Sequence, residues 1–170
     1  MTERVTIVPY DPEWPLMFEG ERAALAEVFH GTGAEIEHVG STAVPGLGAK
    51  PVIDVMVGVS RLADVEEKAK LLESAGYQYV PEYEAALPER RYFRKPPSRP
   101  RVYHLHCVVK GSDFWKRHLQ FRDYLRIHPT VAAEYYKLKC ELASRCSKAA
   151  YTEAKSSFVE GVLASAGQAP

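Results

Sequence analysis

The chain has 170 residues, of which 46% are hydrophobic and 26% charged, and its 22 Lys and Arg balance 22 Asp and Glu. These values describe a chain that buries a core by itself and exclude a disordered tail, a collagen or a coiled-coil rod. Zero net charge leaves no global field for nucleic acid or membrane, and no run nears the roughly 18 apolar residues of a membrane span.

Thr6 to Val8 reads as a short strand. Pro9-Tyr10-Asp11-Pro12 then starts a helix, with Asp11 as N-cap and Pro12 at the first helical position. Trp14, Met17, Phe18, Leu25, Val28 and Phe29 give that helix a buried stripe as far as about Phe29. Glu35 to Val39 is a strand, Gly40 to Gly48 a glycine-rich connection, and Pro51 to Val59 a strand dense in β-branched residues. Ser60 can cap a helix carrying Leu62, Val65, Ala69 and Leu72 until Gly76 ends it. Tyr77 to Val80, Arg91 to Arg94 and Val102 to Val109 read as three more strands, the last two joined by a proline-rich turn. Helices are expected over about 113–127, 131–147 and 152–165, with breaks at Pro129 and from Ala149 to Thr152. The order predicts one domain: a sheet core with helices over about 1–110, then a helical part over about 111–166, neither a sandwich nor a bundle.

The opening Met1-Thr2-Glu3-Arg4-Val5 lacks the pattern of a signal peptide. Cys107, Cys140 and Cys146 show no CxxC spacing and read as thiols of a reducing compartment. A cytoplasmic location is expected.

The chemistry concentrates in His38-Val39-Gly40-Ser41-Thr42-Ala43-Val44-Pro45-Gly46-Leu47-Gly48-Ala49-Lys50-Pro51-Val52-Ile53-Asp54-Val55-Met56-Val57. Glycines at a strand exit let backbone N–H groups approach an anion, Ser41 and Thr42 add hydroxyl donors, and Lys50 adds a point charge. The Walker pattern GxxxxGK[ST] does not occur. Alternation in the next strand puts Asp54 and Met56 on one face and Ile53, Val55 and Val57 on the core face. The same logic puts His104 and His106 together. If the strands are neighbours, His38, Asp54, His104 and His106 converge, a set that suits one transition metal or general acid/base catalysis. Satisfaction of each group by its own neighbours is the plainer alternative.

Residues 90–101 hold Arg90, Arg91, Arg94, Lys95, Arg99 and Arg101 without an acid, interleaved with Tyr92 and Phe93. This reads as a phosphate grip ahead of a single-stranded nucleic-acid surface, with a solvated sheet edge as the structural alternative. In the C-terminal third the many aromatics read as packing residues, and Arg122 and Arg126 as members of structural ion pairs.

His38 to Leu47, Lys50-Pro51-Val52-Ile53-Asp54-Val55, His104-Leu105-His106, Phe121-Arg122-Asp123-Tyr124-Leu125-Arg126 and the spaced Tyr151, Lys155 and Phe158 together resemble the signature of the GrpB family, also called UPF0157. The resemblance spans about Val8 to Leu163 and implies an α+β fold of α/β type: a nucleotidyltransferase-like mixed β-sheet flanked by helices, with a helical C-terminal third. It further implies a nucleotide or phosphorylated small molecule as ligand, one divalent metal (manganese, zinc or magnesium), and transfer of a nucleotidyl group. On that reading Gly40, Ser41, Thr42, Lys50, Arg91, Arg94 and Lys95 hold phosphate. Asp54, His104 and His106 are catalytic, and with His38 they ligate the metal. Two departures bear on this chemistry: Met56 stands where a second acid is usual, and Val102 and Tyr103 replace the family's Thr and His ahead of His104. The alternative is a non-catalytic binding module, as in similar domains fused to dephospho-coenzyme A kinase.

Overall fold

In the computed structural model, which describes residues 4–168, five strands form one mixed sheet. They are β1 (Glu35–Val39), β2 (Ile53–Val59), β3 (Gln78–Tyr79), β4 (Arg90–Lys95) and β5 (Tyr103–Val109), in the order β1-β2-β5-β4-β3. Only β2 and β5 run parallel; the other neighbours are antiparallel.

One face of the sheet is covered by α1 (Glu13–Val28), α2 (Leu62–Glu67) and α3 (Ala69–Ser74). As the alternation predicts, Ile53, Val55 and Val57 of β2 point into this layer with Leu105, Cys107 and Phe93, against Trp14, Phe18, Leu25, Val65 and Leu72. The other face carries Asp54, Met56, His104 and His106. It is covered at the Met56 end by Val39, Val108 and Trp115. Four helices complete the chain: α4 (Asp113–Ile127), α5 (Pro129–Arg145), α6 (Lys148–Ala154) and α7 (Ser156–Gln168). None of the described helices is long and apolar enough to cross a membrane.

Several boundaries differ from those predicted. Helix α1 begins one residue later than expected, with Pro12 at its N-cap, but the Asp11 carboxylate still accepts the Glu13 N–H at 2.9 Å. Arg61 rather than Ser60 caps α2, and the expected single helix is two, separated at Lys68. Val65 and Leu72 nevertheless both stay fully buried, so the break leaves the apolar stripe facing the sheet. Residues 149–152 are helical rather than a break, because the Ser147 side chain accepts the Ala150 N–H and starts α6. Thr6 to Val8 contributes one antiparallel bridge, Val8 to Ala49, rather than a strand. Gly48 permits that approach, since a methyl group there would meet Val8 O at 2.7 Å and the Tyr136 ring at 2.3 Å.

A lysine-lined candidate active site

The parallel pairing of β2 with β5 sets Asp54 opposite His104 and Met56 opposite His106, all on the face away from α1. Asp54 Oδ1 lies 3.2 Å from His106 Nε2 and 3.5 Å from His104 Nδ1. Burial by itself would raise the Asp54 pKa, but the hydrogen bonding of the two histidines holds it far below the usual carboxylate range. On its other side His106 meets Arg90, whose Nη1 is 3.2 Å from Nδ1. Arginine can only donate, so Nδ1 accepts and Nε2–H points at Asp54. Burial, outweighing Asp54, pushes the His106 pKa down, so this imidazole is neutral. The Arg90 guanidinium lies over the Tyr92 ring at 4.9 Å, and its buried Nε has no partner among the described residues.

Gly40, at the exit of β1, has φ of 73° and sits against this carboxylate: a methyl group there would come 2.7 Å from Asp54 Oδ2. Only glycine meets both conditions at once, which explains the Gly-Ser step at the strand end. Ser41 and Thr42 follow in a short 3₁₀ turn, Ser41–Ala43.

Above this sheet end the helices enclose a cavity of about 460 Å³. Its floor is Gly40, Ser41, Thr42, Lys50, Asp54, His104 and His106. Its walls come from Arg117, His118 and Phe121 of α4, Tyr135 and Lys139 of α5, and Lys148 and Tyr151 of α6; Lys155 follows α6, and Val159 belongs to α7.

The walls were the less legible part. Lys139 is 2% exposed; its Nζ donates to Gly48 O at 2.6 Å and lies over the Tyr135 ring at 4.8 Å. Burial, then the charge of Lys155, brings its pKa down to about 7. Burial lowers Lys50 and Lys155 as well, against the pull of Asp54; Lys148 repels Lys50, and Lys50 repels Lys155. Neither Lys50 nor Lys155 forms an ion pair among the described residues. Lys148 in turn feels Arg99 and Arg101 of the β4–β5 turn and Arg94 of β4. The signal for Lys139 was available in the sequence: with Ala132 and Tyr135 it forms a buried stripe of α5 at spacings of three and four, where a charge is out of place. His118 gives its Nδ1 to Phe114 O at 2.8 Å, and burial depresses its pKa to about 4.

Three sequence assignments are corrected. His38 does not join Asp54. It stands opposite Val55 across the antiparallel β1–β2 pair and therefore shares the α1 face, stacked on Phe18 at 4.7 Å with Nε2 on Thr42 Oγ1 at 2.9 Å. Alternation likewise turns Arg91 and Lys95 of β4 away from the cavity. Arg91 pairs with Glu66 at 2.9 Å, and Lys95 pairs with Glu21 at 3.1 Å. Arg94 does share the face of His104, but its Nε is held by Gln78 at 2.7 Å and it does not line the cavity.

Asp54 Oδ1 already serves two imidazoles, and both nitrogens of His106 are engaged. Among the described residues no three His, Cys, Asp or Glu side chains are arranged to hold a metal ion.

Fold and cavity define a small α+β protein whose helical part closes a cationic pocket over one end of a mixed sheet. The chain belongs to the GrpB family, whose model, described as GrpB protein, matches residues 4–165. It is 36% identical to the crystal structure of the conserved protein GrpB from Enterococcus faecalis, with a TM-score of 0.86 over 95% of this chain and 96% of that one. The glutamate-rich protein GrpB of Alkalihalophilus pseudofirmus is 33% identical over 94% of both chains. UPF0157 protein YqkA of Bacillus subtilis is 37% identical over 84% of this chain, which spans 40% of that protein's length. A dephospho-CoA kinase of Mycolicibacterium paratuberculosis is 30% identical over 79% of this chain and 39% of its own.

Proposed function

We propose that the cavity binds a phosphorylated small molecule, a nucleotide first among them, and that His104, oriented by Asp54, supplies acid–base chemistry for transfer of a nucleotidyl group. The observation that carries this reading is the convergence of Lys50, Lys139, Lys148 and Lys155 on one cavity around a single carboxylate. Burial lowers the pKa values of these lysines most, and repulsion between the like charges adds to it. Such an arrangement persists where an anion relieves it. The cavity volume of about 460 Å³ falls within the range of small-molecule sites, and the aromatic rings of Phe121, Tyr135 and Tyr151 offer apolar surface for a base.

Thermal shift and calorimetric titration with nucleoside mono-, di- and triphosphates, sugar phosphates and inorganic pyrophosphate test the reading. Lys50→Ala and Lys155→Ala should each weaken binding about tenfold, or about 1.4 kcal/mol. Unchanged affinity in both variants refutes it.

A second reading, a binding module without turnover, is favoured by one observation: Met56, at the position of a second acid, is fully buried against Val39, Val108 and Trp115. The similarity to part of a dephospho-CoA kinase is in keeping with an accessory role. Nucleotide binding without product release in any acceptor screen would establish this reading over the first.

A further inference from the structure

We infer that the pocket takes its phosphorylated ligand without a divalent metal, with lysine ammonium groups doing what metal ions held by carboxylates do in metal-dependent phosphate chemistry. The inference rests on the phosphate-binding reading above. A hard cation bridging protein and phosphate needs carboxylate oxygens free to turn toward it, and magnesium needs them in near-octahedral geometry.

Asp54 keeps 32% of its side chain exposed toward the cavity, but its carboxylate is already committed to neighbours on the protein side. Its Oδ1 is shared between His106 Nε2 at 3.2 Å and His104 Nδ1 at 3.5 Å. Its Oδ2 lies so near the Gly40 backbone that a methyl group would not fit between them. The neighbour that could complete a carboxylate pair on β2 is Met56, fully buried in an apolar cluster. His106 has given its remaining lone pair to Arg90, so it cannot ligate without breaking that contact.

Charge points the same way. Lys50 and Lys155 both act on Asp54, and neither has a salt-bridge partner among the described residues. A dication beside Asp54 would face both of them, whereas a phosphate there would satisfy both. An ammonium is a compact charge with three donors and imposes no coordination geometry, so these side chains can follow phosphate oxygens directly. Metal chelated by the ligand would cancel the charge that the lysines attract.

The test is isothermal titration of the full chain with inorganic pyrophosphate and with ADP, in EDTA and then in excess magnesium or manganese. Binding in EDTA as tight as with metal, or tighter, supports the inference. Asp54→Asn removes the negative charge that faces Lys50 and Lys155 and should tighten pyrophosphate binding in EDTA about fivefold. Binding that appears only with metal, or gains tenfold or more from it, overturns the inference and leaves phosphate binding intact. No binding of either probe in any buffer overturns both.

Discussion

Lys139 offers a test that needs no ligand. Its ammonium is 2% exposed, and its pKa is brought from 10.5 to about 7, first by burial and then by Lys155. The folded chain therefore binds fewer protons at this residue than the unfolded chain throughout the interval between those two values. Stability must then rise with pH across the interval, at up to about 1.4 kcal/mol per pH unit from this group. Below the folded value both states are protonated and the full penalty of the buried charge is present; above the unfolded value it is gone. Lys139→Met keeps the length and apolar stem of the side chain and removes the titration. It also leaves Gly48 O without its 2.6 Å donor, at a cost of about 1–3 kcal/mol that does not depend on pH. Urea unfolding of both proteins at pH 7.5, 8.5 and 9.5 separates the two effects. The wild type should gain about 2–3 kcal/mol relative to the variant over that range, an order-of-magnitude figure from the linkage relation. Titrating groups remote from Lys139 cancel in the difference, and Lys155, which it repels, adds a smaller contribution. Parallel profiles would refute the claim that Lys139 is held near neutrality inside the fold.

Three further outcomes are expected. Gly40→Ala combines a positive φ with a methyl group 2.7 Å from Asp54 Oδ2, so it should lower stability by about 1–3 kcal/mol in denaturant unfolding and impair the site with it. In ¹⁵N spectra at pH 7, His106 should appear as the neutral Nε2–H tautomer, and Arg90→Gln should alter its Nδ1 resonance; a protonated ring would contradict the geometry. Arg122 is 9% exposed and ties α4 to β1 through Glu37 at 2.6 Å and His38 O at 3.0 Å, while its Nε donates to the adjacent Asp123 at 2.8 Å. Its replacement by Met should cost about 2 kcal/mol of unfolding free energy, and a loss below 0.5 would show that these contacts are idle.

The amino-acid sequence was enough for five of the six expected strands and for the faces of β2 and β5, because period-two alternation is a local rule: Ile53, Val55 and Val57 went to the core, and Asp54 with His104 and His106 to the other side. The glycine loop was legible as a motif, but the contacts that demand glycine are tertiary: Gly40 meets the Asp54 carboxylate, and Gly48 meets Val8 O and the Tyr136 ring. Alternation within a strand does not say which face of a neighbour it matches. That required the pairing register, and the antiparallel step from Val55 to His38 placed the histidine under Phe18 rather than beside Asp54. Residue type also misled in β4, where the basic run looked continuous but alternate cations go to opposite faces and Glu66 and Glu21 neutralise Arg91 and Lys95. The cationic pocket was decided only by tertiary structure. Lys50, Lys139, Lys148 and Lys155 lie on separate segments of a chain with no net charge, and only the folding of α5, α6 and α7 over the sheet end brings their ammonium groups within range of one another. Coulomb interactions depend on distance in space, and composition holds no information about that.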